Sequence, residues 1–257
     1  MKLHFKKYQG TGNDFIIIDN RQNQYINLDV AKLCHPKFGI GADGLMLLQN
    51  TEGYDFEMVY YNSDGRISTM CGNGGRCIVD FAKRLGVFND SKTHFKAIDG
   101  PHDAYWKSGE VELKMQNVHK IEERNGHYIL NTGSPHYVIF MADIDGLDIV
   151  HEARKIRYND AYKIEGINVN FVEIIDSTHI KVRTYERGVE NETLSCGTGV
   201  TASAIAFGKR SELIGNHIID ITTPGGELQV RYQSGAVTED VWLCGPAKEV
   251  FSGVIEI

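Results

Sequence analysis

Apolar and polar positions alternate in short runs along most of this chain, the period-two pattern of half-buried strands. A strand over Leu3–Tyr8 is followed by the turn Gly10-Thr11-Gly12-Asn13-Asp14 and the β-branched run Phe15–Asp19. The same pattern predicts strands at Leu45–Gln49, Phe56–Asn62, Thr93–Ile98, Ala104–Lys107, Val111–Met115, His127–Leu130, Tyr137–Phe140, Asn168–Ile174 and His179–Glu186. Four more follow near 217–222, 227–232, 238–243 and 249–256. Asn62-Ser63-Asp64-Gly65-Arg66 and Thr223-Pro224-Gly225-Gly226 have the composition of tight turns. Helical spacing replaces alternation at four places. Two predicted helices, 28–35 and 148–157, are short. The longer two begin after Cys71 and Cys196. The first of these presents Ile78, Val79, Phe81, Ala82 and Leu85 on one face and ends near Gly86. The second presents Val200, Ala202, Ala204, Ile205, Ala206 and Phe207.

The second half therefore repeats the first in outline. A charged, polar stretch, Asn117–Asn125, is the expected boundary between two domains, 1–117 and 118–247, with the final strand, 248–257, returning to the first. At 257 residues the chain is long for one core and comfortable for two of about 130. It is 42% apolar and 24% charged, as in an ordinary soluble globular protein. The net charge of −7 argues against a nucleic-acid partner. No run approaches the ~18 continuous apolar residues of a membrane span, and Met1–Lys7 lacks the apolar core of a signal peptide. A soluble cytoplasmic protein with no membrane partner is expected.

Five cysteines (34, 71, 77, 196 and 244) form an odd, scattered set, unlike a secreted disulfide framework. They contain no CxxC pair and no His/Cys spacing that suggests zinc, so no metal is expected. Cys34, Cys77 and Cys244 read as small buried residues. The Gly-x-Gly at 10–12 leads into a β-branched run and not a helix, which removes the context of a dinucleotide site.

Cys71 and Cys196 stand apart. Each opens a Cys-Gly-x-Gly step into a helix: Met70-Cys71-Gly72-Asn73-Gly74-Gly75-Arg76-Cys77, and Ser195-Cys196-Gly197-Thr198-Gly199. A thiol at that place meets unpaired backbone N–H groups and the positive end of the helix dipole. Both favour thiolate, from a starting pKa of about 8.5. The glycines let the backbone approach a ligand, so the same N–H groups can hold a carboxylate. Two such thiols on opposite sides of a small acid constitute a two-base stereoinversion. One takes the α-proton while the other delivers one to the opposite face. Donors aimed at the adjacent carboxylate stabilise the charge that develops there. Most amino-acid racemases use pyridoxal on a lysine, and no lysine here lies in a recognisable setting for it.

These segments resemble diaminopimelate epimerases over essentially the whole chain. Gly10-Thr11-Gly12-Asn13-Asp14-Phe15, Asn62-Ser63-Asp64-Gly65, the Cys71 motif, Gly133-Ser134-Pro135-His136, Tyr185-Glu186-Arg187-Gly188, Glu192-Thr193-Leu194-Ser195-Cys196-Gly197-Thr198-Gly199 and Pro224-Gly225-Gly226 occur in order and at similar spacing. Proline racemases share the plan but typically carry histidine where this chain has Asn73. The resemblance implies cofactor-independent conversion of LL- to meso-diaminopimelate, for lysine and cell-wall synthesis. It implies two pseudo-symmetric α/β (α+β) domains, each a barrel-like, mainly antiparallel sheet around a central helix, with the site in the cleft between them, and a homodimer. Carried over, Cys71 and Cys196 are the acid/base pair. Gly72, Asn73, Gly197 and Thr198 hold the reacting carboxylate. Asn13, Asn62, Ser134, Asn168 and Arg187 contact the substrate, Glu186 lies near its amino groups, and His136 and Glu186 tune the thiols. A guanidinium and a carboxylate complement the charges of the substrate's unreactive amino-acid end. Read without the family, Glu186–Arg187 is an ordinary solvated pair, His136 a loop histidine and Asn62 a turn residue.

Three departures bear on substrate choice. Gly44 stands where well-known members have glutamine, Ser134 where they have asparagine, and one extra residue lies between Arg187 and Cys196. They leave open a related pyridoxal-independent racemase of another amino acid, such as histidine.

Overall fold

The same succession of seven strands and two helices occurs twice along the chain, with one further matching strand in each unit, and the computed structural model describes residues 1–257. The first run comprises β1 (Lys2–Gly10), β2 (Asn13–Asp19), α1 (Val30–Cys34), β3 (Gly44–Gln49), β4 (Glu57–Asn62), α2 (Gly72–Arg84), β5 (Lys92–Ala97), β6 (Gly100–Lys107) and β7 (Glu110–Lys114). The second comprises β8 (Ile121–Arg124), β9 (His127–Asn131), β10 (Pro135–Phe140), α3 (Ile149–Arg157), β11 (Asn168–Ile174), β12 (His179–Glu186), the short β13 (Asn191–Thr193), α4 (Gly197–Arg210), β14 (Gly215–Thr223), β15 (Gly226–Ser234) and β16 (Glu239–Pro246). The last strand, β17 (Lys248–Glu256), pairs antiparallel along β1. Two compact units result: Met1–Leu113 with Gly245–Ile257, and Lys114–Cys244.

In the first unit the strands run β17-β1-β2-β3-β4-β5-β6-β7; in the second, β8-β9-β10-β11-β12-β14-β15-β16. Both ladders follow one sequence of directions: antiparallel, antiparallel, parallel, antiparallel, parallel, antiparallel, antiparallel. A parallel step needs a crossover, and each carries a helix: α1 and α2 in the first unit, α3 and α4 in the second. Neither ladder closes into a barrel, since no pairing joins its two end strands. The sheet instead wraps its central helix. Helix α2 packs against β1, β2, β3 and β6; α4 packs against β9, β10, β11, β12, β14 and β15.

The helices are accordingly buried on every side, and not along the single face expected from their spacing. Every residue of α2 from Gly72 to Ala82 is buried, whereas Leu85, expected in the apolar stripe, is exposed. In α4 the buried set includes Thr201 and Ser203, whose hydroxyls donate to the carbonyls of Gly197 and Gly199 at 2.8 Å, so no polar atom is stranded. Asp80 of α2 is fully buried for the same kind of reason. Its carboxylate accepts from the Tyr8 hydroxyl (3.1 Å), Arg84 Nε (2.6 Å) and Trp106 Nε1 (2.8 Å), and with burial it pushes the Tyr8 hydroxyl well above the usual phenol range.

Two strands lie where none was expected. The charged boundary stretch contains β8, hairpinned to β9 through Asn125-Gly126, both at positive φ (52° and 77°). Asn-Gly is the residue pair such a hairpin favours. The loop before Cys196 contains β13, paired with the end of β12. No helix is long and apolar enough to cross a membrane.

Replacing Asp80 by alanine strands the Tyr8 hydroxyl and the Trp106 N–H in the core. We expect a loss of about 3 kcal/mol in urea unfolding, with Asp80→Asn costing less because it keeps an acceptor.

Candidate active site

Each central helix begins at a cysteine. Cys71 caps α2 in extended geometry (φ −97°, ψ 133°) and Cys196 caps α4 likewise (φ −118°, ψ 112°). Neither side chain bonds its own first-turn N–H groups as serine or aspartate would. The cap side chain therefore does not occupy the donors of the first turn, the kind of group that binds anions. Cys196 is buried and Cys71 half-buried.

In the first unit Cys71 Sγ lies 3.6 Å from Asn13 Oδ1. The orientation of that amide is fixed from behind: Asn13 Nδ2 donates to Asp43 Oδ2 at 2.5 Å. Asp43 Oδ2 also accepts the Asp14 N–H, and Asp14 is paired with the Lys7 ammonium at 2.7 Å. Asn73 is held by the fully buried Arg76, whose guanidinium donates to Asn73 Oδ1 (3.0 Å), Thr11 Oγ1 (3.2 Å) and the carbonyls of Gly72 and Pro246. Asn62 ends β4 directly opposite Gly44. A side chain at Gly44 would begin 2.5 Å from the Tyr60 ring and 2.7 Å from the Tyr61 carbonyl, so both a side chain and the backbone of β4 require glycine here.

In the second unit Ser134, Asn168 and Arg187 form one cluster. Asn168 Nδ2 donates to Ser134 Oγ (2.9 Å), Asn168 Oδ1 accepts the Arg187 N–H (2.8 Å), and Arg187 also reaches Ser134 Oγ (3.4 Å) and the Glu165 carbonyl (2.9 Å). Glu186 accepts from Thr193 Oγ1 at 3.0 Å, a contact that β13 supplies. His136 does not bond a sulfur directly. Its Nε2 lies 2.9 Å from Thr198 Oγ1, which in turn lies 3.5 Å from Cys196 Sγ. Burial first, then the positive charge of Arg187, pushes the His136 imidazole down to about 3. It is therefore neutral at neutral pH.

The expected residues occupy corresponding places in the two repeats. Gly44 opens β3 opposite Phe15, and Asn168 opens β11 opposite His136. Counting from these pairs, Asn13 matches Ser134, Asn62 matches Glu186, and the two Cys-Gly-x-Gly steps match each other. Asp43, Arg76, Asn170 and Thr184 take part in the same hydrogen-bonded clusters and were not anticipated. Of these, Asn170 carried a signal: it is two residues beyond Asn168 on a strand, hence on the same face.

Solved structures that share this architecture include a protein of the phenazine-biosynthesis PhzF family and a hydroxyproline epimerase. A Bacillus anthracis protein of the PhzF family superposes with a TM-score of 0.80 at 11% identity over the full length of both chains. A hydroxyproline epimerase from Agrobacterium vitis superposes with a TM-score of 0.69 at 14% identity, covering 99% of this chain and 92% of its own. At those identities the likeness is one of fold. Sequence goes further, because the diaminopimelate epimerase profile matches residues 5–121 and 128–248. A diaminopimelate epimerase of Flavobacterium psychrophilum is 50% identical over 99% of this chain and 100% of its own, and that of Chlorobaculum tepidum is 39% identical over 96% and 99%. The chain belongs to the diaminopimelate epimerase family.

The depressed His136 value fixes a sign. An unfolded histidine titrates near 6.5, so between about 6.5 and about 3 the unfolded chain binds a proton that the folded chain refuses. Stability is full above that window and falls within it as pH drops, by up to about 1.4 kcal/mol per pH unit. His136→Phe should remove this contribution. Relative to wild type, its unfolding free energy should rise as pH is lowered from 7 to 4.5; a constant difference would refute the neutral assignment.

Proposed function

We propose that this protein inverts one stereocentre of 2,6-diaminopimelate, LL to meso, without a cofactor, with Cys71 and Cys196 as the acid/base pair. The observation that carries the reading is the repeated one: in each unit a cysteine caps a buried helix with no side-chain bond to that helix's first turn. The α-proton beside a carboxylate is weakly acidic, so the reaction needs positive potential where negative charge accumulates. Gly72 and Asn73 on one helix, and Gly197 and Thr198 on the other, supply it through backbone N–H groups and the dipole. One thiolate removes the proton and becomes a thiol. The other thiol protonates the opposite face and becomes a thiolate, and the roles exchange in the reverse direction. Balance requires both sulfurs to reach one carbon from its two sides.

Arg187, steadied by Asn168, Ser134 and Glu165, binds the distal carboxylate. Glu186 accepts from an ammonium. Asn13 and Asn62 complete the contacts, and His136 with Glu186 sets the readiness of the thiols. Support for diaminopimelate over another amino acid comes from the names of the near full-length relatives; Gly44 and Ser134 remain the places where selectivity would differ. The product serves lysine and peptidoglycan precursor synthesis in the cytoplasm, and the protein acts as a homodimer, which light scattering tests directly.

The decisive measurement is incorporation of solvent deuterium at the α-carbon of LL-diaminopimelate. Cys71→Ala and Cys196→Ala should each reduce interconversion at least about 10³-fold, and either variant retaining near wild-type turnover would sink the pair. Arg187→Met should raise KM by about 30-fold or more, the loss of a charged hydrogen-bonded contact of about 2 kcal/mol, with a smaller effect on kcat. A higher kcat/KM for histidine than for diaminopimelate would transfer the assignment to the other racemase class.

A further inference from the structure

The two repeats differ behind the helix starts. In the first unit the residue opposite Gly44 is Phe15, and Met46 lies two further along β3; both are fully buried. A side chain added at Gly74 would meet Met46 Sδ and the Phe15 ring at 3.3 and 3.5 Å. In the second unit the corresponding pair is His136 and Asn170, also fully buried. The matching glycine, Gly199, lies against Asn170: a Cβ there would sit 2.5 Å from Asn170 Oδ1. One half thus supports its helix with an apolar pair, and the other spends the same space on two polar side chains. Packing alone does not ask for them, because Phe15 and Met46 already meet that need.

The bonds of Asn170 fix its direction. Its Nδ2 donates to the Tyr137 carbonyl at 3.3 Å, and a carbonyl only accepts, so the amide nitrogen must face that way. Its Oδ1 accepts from Thr184 Oγ1 at 3.0 Å, which agrees. The same Nδ2 lies 3.1 Å from His136 Nδ1, and that ring nitrogen must therefore be the bare acceptor. The proton of a neutral ring then sits on Nε2 and points to Thr198 Oγ1. With one lone pair occupied by that proton, the Thr198 hydroxyl can direct its own hydrogen to Cys196 Sγ, 3.5 Å away.

We propose that Asn170, backed by Thr184, is a positioning residue that locks neutral His136 in the Nε2–H form and thereby aims the Thr198 hydroxyl at the sulfur of Cys196. The chain of donors runs one way, Thr184 to Asn170 to His136 to Thr198 to sulfur, and it stabilises thiolate on that half only. The charged group acting on the ring from its surroundings is Arg187, which disfavours imidazolium and so keeps the ring neutral. The inference rests on Cys196 serving as an acid/base group.

Two readouts test it on the intact protein. Long-range 1H–15N correlation spectra should show the His136 ring protonated on Nε2 alone between pH 5 and 8. Asn170→Met, the residue the first repeat uses, should release that preference. It should also move the pH midpoint of iodoacetamide alkylation at the Cys196 peptide up by about one unit, while the Cys71 peptide keeps its midpoint. A wild-type ring protonated on Nδ1 or on both nitrogens overturns the inference without any variant, which covers failure of Asn170→Met to fold. So does a variant in which the Cys196 midpoint stays in place, or in which both cysteines shift alike. Cys196→Ala that still turns over would sink the acid–base reading instead, and would leave the tautomer measurement standing.

Discussion

The constraint on which this molecule rests is the hydrogen-bonding capacity of a helix start enclosed in its own sheet. Burying a helix on all sides is favourable for its side chains and costly for the donors of its first turn, which protein structure must satisfy somehow. Serine, threonine or aspartate at the cap would satisfy them internally. Here the cap is cysteine in both repeats, with no side-chain bond to the turn. The fold therefore presents two positive, donor-rich ends beside two polarisable acids. An anionic substrate is what such ends call for.

Much of this could be read from the residues. The alternating runs located most strands, and the Cys-Gly-x-Gly steps located both helix starts. The motif residues of the second half, Ser134, Asn168 and Arg187, do come together through direct bonds. What escaped the sequence has identifiable causes. Strand β8 carries charges on a short exposed hairpin, so hydropathy hid it while the Asn125-Gly126 turn announced it. Strand β13 spans only Asn191–Thr193 and is defined by its partner, not by its own pattern. The central helices looked amphipathic because Asp80, Thr201 and Ser203 look like surface residues. Each is instead satisfied inside the core by a specific partner. Asp43 and Asn170 have no motif of their own; their importance lies in orienting the amide of Asn13 and the ring of His136.

Duplication explains why the site residues fall in matched pairs, and divergence explains why the pairs are unlike. The ladder directions are the same in both units, so the backbone places a residue at the same point relative to each helix start. Side chains at those points have then specialised. Asn13 faces its thiol with an amide oxygen, whereas Thr198 faces the other with a hydroxyl. The two thiols thus sit in unlike surroundings although the backbones that carry them follow one plan.

One feature of the topology reaches beyond the finished molecule. Strand β17 lies along β1 over nearly its whole length, from Lys2 against Glu256 to Gln9 against Lys248. The strand beside β1 is thus supplied from beyond the whole second unit. Until β17 has been made, β1 offers an open hydrogen-bonding edge, and Phe5 lacks the Phe251 ring that it meets edge-on. The amino-terminal unit is completed only by a segment that follows the second unit along the chain, and the growing polypeptide must be kept from pairing that edge with a neighbour in the meantime.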